Sequence, residues 1–208
     1  NSSGNYVWAK NFGGTDNEKG FSVAVDSSGN VYTTGDFQGT ADFDPGAGTA
    51  NLTSNGGRDV FVSKLDSSGN YLWAKSWGGA ADPGLNADDT SRSVAVDSSG
   101  NVYTTGYFQR TVDFDPGAGT TNLTSNGGTG NDVFVSKLDS SGDLLWVRSV
   151  GGTSNDLAQS VAVDSSGNVY TAGWFHGTTD FDPGAGTAEL TSASGGNAFV
   201  LKLDSSGN

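Results

Sequence analysis

The chain has 208 residues, 33 of them Gly and 34 % of them hydrophobic, a composition that suits many short strands and tight turns better than packed helices. Its 23 acidic residues against 10 basic ones leave a formal charge of −13, which disfavours contact with nucleic-acid phosphates or an anionic membrane face. Cysteine is absent, which excludes disulfides, thiolate metal sites and cysteine nucleophiles together, and no apolar run approaches the ~20 residues that span a bilayer.

The chain opens at Asn1 without a methionine or a signal-peptide pattern, as a mature protein or a fragment of a longer one would. The first predicted strands, Val23 to Val25 and Val31 to Thr34, flank the turn Asp26-Ser27-Ser28-Gly29-Asn30. Next comes an excursion, Asp42-Phe43-Asp44-Pro45-Gly46, which reads as a hairpin extension with Pro-Gly at its tip. Phe61 to Leu65 and Tyr71 to Lys75 then flank a second copy of the turn, Asp66 to Asn70. Asp bonds amides two residues on, and Gly accepts the left-handed conformation that closes the loop, so Gly29, Gly69, Gly100 and Gly167 are expected at positive φ.

The whole pattern then repeats. Ser22 to Tyr32 returns at Ser93 to Tyr103 and Ser160 to Tyr170; Val60 to Gly69 returns at Val133 to Gly142 and, with changes, at Ala198 to Gly207. Three repeats result, 6–70, 71–143 and 144–208, within one domain, 1–208; the middle one carries extra residues in loops, as an array tolerates. Each repeat supplies four strands and a Gly-Gly exit, at Gly13-Gly14, Gly78-Gly79 and Gly151-Gly152. The expected class is all-β, a propeller-like array of mainly four-stranded antiparallel blades with an extended hairpin.

The strings Ser93 to Gly106 and Tyr71-Leu72-Trp73-Ala74-Lys75-Ser76-Trp77-Gly78-Gly79 resemble the bacterial SBBP β-propeller repeat family. The Asp-Phe-Asp-Pro-Gly tip followed by Asn-Leu-Thr-Ser is similar to versions in large secreted or surface proteins. The resemblance covers nearly the whole chain, implies the fold and an extracellular setting, and carries over no catalytic residue. Three blades fall short of the four to eight of a usual closed propeller. The chain begins and ends on the same turn, so Tyr6 to Lys10 is expected to pair with Phe199 to Leu203, between chains rather than within one. The partner is then a second copy, in an oligomer or filament, or the next repeat of a longer parent. Trp8, Trp73 and Trp146 share one register and are expected to be largely buried between blades.

Carboxylates are the abundant reactive groups. Asp42 and Asp44, with Asp113, Asp115, Asp180 and Asp182, recur at alternate positions beside Pro-Gly carbonyls, a set that suits either a hard cation such as calcium or an Asp-capped turn. A second set, Glu18, Asp89 and Asp156, reads either as loop caps or as part of a calcium site, the latter especially in the long loop from Asp82 to Asp89. Tyr107 and Trp174, beside Gln109 and His176, read either as exposed glycan-binding aromatics or as edge packing. No phosphate-cradling loop or nucleophile elbow is present, and threefold recurrence of one Asp pair works against an asymmetric acid and base. The expectation is therefore a non-enzymatic extracellular structural or adhesive module, with a multivalent carbohydrate-binding propeller as the alternative.

Overall fold

The computed structural model describes residues 3–80, 88–127 and 130–208. The first blade and the segments attached to it run β1 (Gly13–Gly14), β2 (Glu18–Val25), β3 (Val31–Phe37), β4 (Thr40–Asp42), β5 (Asn51–Thr53), β6 (Asp59–Leu65) and β7 (Tyr71–Trp77). The second runs β8 (Thr90–Val96), β9 (Val102–Phe108), β10 (Thr111–Asp113), β11 (Asn122–Thr124), β12 (Asp132–Leu138) and β13 (Leu144–Gly152). The third adds β14 (Asp156–Val163), β15 (Val169–Phe175), β16 (Thr178–Asp180), β17 (Glu189–Thr191) and β18 (Asn197–Leu203).

Each blade grows from its turns. Asp26 Oδ1 accepts the amides of Ser28 and Asn30, both at 2.9 Å, and Asn30 Nδ2 donates to Oδ2 at 2.8 Å. Gly29, Gly69, Gly100 and Gly167 take φ of 79°, 78°, 79° and 80°, the left-handed backbone that the turn chemistry requires. The flanking β-branched and aromatic residues then pair antiparallel, giving a four-stranded blade β2-β3-β6-β7, a second β8-β9-β12-β13 and a third, β14-β15-β18, of three strands. Because side chains alternate, each blade has two apolar faces. In the first, Tyr32 sits beside Lys64 and Trp73 on one face, while Val31 sits beside Leu65 and Tyr71 on the other.

The excursions are the hairpins β4–β5, β10–β11 and β16–β17. Two of them pair with the Gly-Gly segment that precedes their repeat: Gly13 lies opposite Asp42, and Gly151 opposite Asp180. Each of these two Gly-Gly segments thus joins the hairpin of the blade that follows it.

The cores lie between blades. Tyr32, Val60, Val62 and Trp77 of the first blade pack with Val94, Val102, Phe108 and Phe134 of the second. Their counterparts Tyr103, Val133, Val135 and Val150 pack with Val161, Val169, Phe175 and Phe199 of the third. This is one interface used twice.

The segment 6–10 is not a strand, and β18 pairs with β15 alone among the described strands. The three blades thus form an open array in which Tyr6 to Lys10 does not reach Phe199 to Leu203 of its own chain. The amino-terminal segment instead lies against the first blade, where Trp8 Nε1 donates to Ser67 O at 3.1 Å. Phe12 packs on Phe43 and Phe61, with ring centroids 5.1 and 5.6 Å apart. Trp77 does the same to Phe114 and Phe134 of the second blade, so Phe12 stands where the outer strand of a preceding blade would.

Candidate functional site

The expected cation loops are built as capped turns. Asp42 Oδ1 accepts the amides of Asp44 (3.0 Å) and Ala50 (2.8 Å), and Asp44 Oδ1 accepts Gly46 N (2.7 Å). Asp113 and Asp115, and likewise Asp180 and Asp182, repeat these bonds. The amide of Ala50, then that of Asp44, holds the Asp42 carboxyl below its ordinary value. The second Asp44 oxygen lies where a Cβ on Gly48 would stand, which explains the small residue there. Among the described residues no group of three or more His, Cys, Asp or Glu side chains converges as a metal cluster. Asp82 lies outside the described residues.

The aromatic candidates occupy equivalent places on β9 and β15 with different surroundings. Tyr107 is half-buried: its hydroxyl accepts from Arg92 Nη2 (3.2 Å), and the Arg92 guanidinium spans the Tyr107 ring and the Phe21 ring of the preceding blade, 5.5 and 4.6 Å from their centroids. Gln109 Nε2 is bonded to Asn131 Oδ1 at 2.8 Å. Trp174 is exposed and tilted against His176, with ring centroids 5.0 Å apart. His176 also borders a shallow polar pocket of about 340 Å³ with Thr153, Ser154 and Asn155. The structure therefore pairs Trp174 with His176 and leaves Tyr107 braced by Arg92.

The same bonds stitch both junctions. Ser22 Oγ accepts Val94 N (3.3 Å) and Ser93 Oγ accepts Val161 N (3.1 Å). Trp73 Nε1 donates to Ser140 O and Trp146 Nε1 to Ser205 O, each at 3.2 Å. These indoles, with Trp8, are half-buried, where the sequence predicted deep burial. Their rings bridge to the next turn along a rim that water still reaches.

At the two ends of the array the same residues are bare. Val23 is 62 % exposed where its counterparts Val94 and Val161 are 6 % and 7 % exposed. Val200 is 79 % exposed where Val62 and Val135 are 0 % and 1 %. The first blade thus displays the receiving half of a junction with nothing on it, and the third displays the donating half.

Sequence reasoning missed two carboxylates. Asp59 and Asp132 open β6 and β12, each sharing a Gly-Gly pair with a member of the second acidic set. They read as mere strand starts because nothing in their local spacing marks them; the signal was the Gly-Gly that sits beneath each. A Cβ on Gly78 would overlap the Asp59 carboxylate, and one on Gly151 would overlap Asp132. The amide of the next residue, Gly79 or Gly152, donates to Asp89 Oδ2 or Asp156 Oδ2, both at 2.7 Å. Burial pushes Asp59 up to about 6 and, with repulsion from Asp59 and Asp88, Asp89 up to about 7. Burial and Asp156 push Asp132 to about 7.

Stacked antiparallel blades joined through one repeated junction define a β-propeller repeat protein. The Beta-propeller repeat of the SBBP family matches this chain at residues 7–37, 78–107 and 145–182. It is similar to the regulatory protein FlaEY of Caulobacter vibrioides, 27 % identical over 169 residues, or 79 % of this chain and 16 % of that one. It is also similar to an uncharacterized WD repeat-containing protein of Acanthamoeba polyphaga mimivirus, 26 % identical over 167 residues, or 75 % of this chain and 12 % of that one. The chain therefore spans less than a fifth of either relative. A crystal structure of a protein of unknown function from Bacteroides caccae aligns over 91 % of this chain and 79 % of that one, at 12 % identity and a TM-score of 0.29.

Proposed function

We propose that the chain is a non-enzymatic structural and adhesive module of the extracellular or cell-surface space, which assembles through its open blade faces. One observation carries this reading: the bare Val23 face and the bare Val200 face are the two halves of a junction the molecule already makes twice. The partner is another copy of the chain, in an oligomer or filament, or the adjoining repeat of a longer parent. In that contact Tyr6 to Lys10 of one unit takes the edge of β18 in the next, as β7 takes the edge of β6, so that the open edge is covered.

The reading as a non-enzyme rests on how the reactive groups are used. The turn and hairpin carboxylates bond their own loops in every repeat, and Asp156 meets the His176 backbone amide (3.2 Å) rather than forming an acid and base pair with its ring. A net charge of −13 keeps such surfaces soluble and away from nucleic acid. A second reading, carbohydrate binding, is favoured by exposed Trp174 tilted against His176 beside a polar pocket.

Electron microscopy of the purified chain together with a glycan array tests both. Rings or filaments with a flat array support the scaffold. Specific glycan signals lost in Trp174→Ala support the lectin, and dispersed single particles contradict assembly.

A further inference from the structure

At each junction two buried carboxylates meet at one Gly-Gly pair, Asp59 and Asp89 at Gly78-Gly79 and Asp132 and Asp156 at Gly151-Gly152. Asp59, Asp89 and Asp132 are each 1 % exposed and Asp156 is 0 % exposed. At the first junction Asp59 Oδ2 accepts Asn55 N (2.9 Å), Asp89 Oδ1 accepts Gln109 N (3.0 Å), and Asp89 Oδ2 accepts Gly79 N. At the second, Asp132 Oδ2 accepts Asn126 N (2.9 Å), while Asp156 is held by Gly152 N and by the Thr179 hydroxyl (3.0 Å). In both, one oxygen remains: Asp59 Oδ1 and Asp132 Oδ1 are buried and have no hydrogen-bond partner among the described residues. A buried unpaired acceptor is costly, and an uncompensated buried charge more so.

The charges near the first pair are already committed or of the wrong sign. Around the first pair, Arg58 is bound to Asp36 (3.5 Å), Asp88 accepts Arg58 N (3.2 Å), and Arg92 lies over Phe21 and Tyr107. Around the second, Asn126 Nδ2 donates to Gly151 O (3.1 Å). The chain keeps glycine where each orphaned carboxylate comes to rest, at Gly78 and at Gly151. At the equivalent place in the first repeat, Gly13 lies against Glu18, whose Oε1 is likewise buried and unpartnered.

We propose that each blade junction binds one hard divalent cation, calcium being the ion its charge and oxygen ligands fit, between Asp59 and Asp89 and between Asp132 and Asp156. The orphaned Oδ1 atoms of Asp59 and Asp132 lead the coordination. One divalent ion neutralises both carboxylates of a pair and takes its remaining ligands from carbonyl oxygens and water. Binding joins two blades at one point, so the ion fastens the junction. This site is separate from the hairpin loops.

The test uses the full chain stripped with a chelator and titrated with calcium in a calorimeter. Two sites per chain are expected, with a melting temperature that climbs with calcium concentration. Terbium luminescence gives a second readout, because Trp77 is buried and adjoins Gly78 at the first site whereas Val150 takes its place at the second. Asp59→Asn should remove one calorimetric site and the Trp77-sensitised emission. Asp132→Asn should remove the other site and spare that emission, and Asp44→Asn in the hairpin loop should leave both. No calcium binding by the wild type at millimolar concentration overturns the proposal, whatever the variants do. Binding that survives Asp59→Asn with Asp132→Asn, or is lost in Asp44→Asn, overturns it as well.

Discussion

The indole of Trp73 donates to the carbonyl of Ser140, 67 residues ahead, in the turn that closes the outer hairpin of the next blade. Trp146 bonds Ser205 in the same way, and Trp8 bonds Ser67. One residue type in one register thus ties each turn to the blade before it. Because the rings are half-buried, Trp73→Ala or Trp146→Ala should cost about 2 kcal/mol, below the 3–5 of a fully buried aromatic. Urea unfolding of each variant checks this; a loss under ~0.5 kcal/mol would show that the bridge contributes nothing.

Arg110 holds φ 62° where the other repeats have Gly39 and Gly177, both at 71°. All three amides donate to a serine hydroxyl across the hairpin base: Ser54, Ser125 and Ser192. Left-handed backbone burdens a residue with a Cβ, so Arg110→Gly should stabilise the chain by about 0.5–1 kcal/mol. Thermal melting decides it, and a destabilised variant would contradict the strain.

Gly78→Ala should be far worse than Gly69→Ala. At Gly69 the cost is a left-handed backbone, about 1 kcal/mol, and a methyl pressed on the exposed Lys10 side chain and the Trp8 ring, whereas at Gly78 a methyl overlaps the buried Asp59 carboxylate pinned by Asn55 N. Adding Asp59→Ala should recover much of the Gly78→Ala loss, a coupling that a double-mutant cycle measures. Independent, additive effects would mean the contact is not there.

The turn aspartates set an acid limit. The amide of Asn70, then its side chain, holds the Asp66 carboxyl low, and Asn208 does the same for Asp204 with its backbone amide. A carboxyl with a depressed folded value contributes stability above the unfolded value of about 4, and loses it as pH falls through the folded one. Urea midpoints should therefore fall below about pH 4, and Asp66→Asn should lose most at neutral pH and least in strong acid. An equal loss at both would refute the linkage.

The sequence displayed what is local. The Asp-Ser-Ser-Gly-Asn turns, the strands that flank them and the hairpin tips follow from residues within five positions of each other, and each stands where it was expected. The register of Trp8, Trp73 and Trp146 was legible too, but their burial was not, since it depends on how far one blade overhangs the next. The carboxylate pairs were hidden for a related reason. Asp59 and Asp89 belong to different repeats, and only the packing of β8 on the first blade brings them to the same Gly-Gly. Tyr107 and Trp174 share a register yet differ in fate, because a blade covers one and none covers the other.

The open faces give the account its most direct test. Val200→Glu places a charge on the third-blade face, Val23→Glu on the first-blade face, and neither residue is buried within the chain, so both variants should fold. Light scattering of the wild type across tens of micromolar should show mass rising with concentration, while each variant alone stays a monomer. Mixing the two variants should restore one intact contact and yield a capped one-to-one dimer. A wild type that stays monomeric, or a mixture that does, would contradict assembly through these faces.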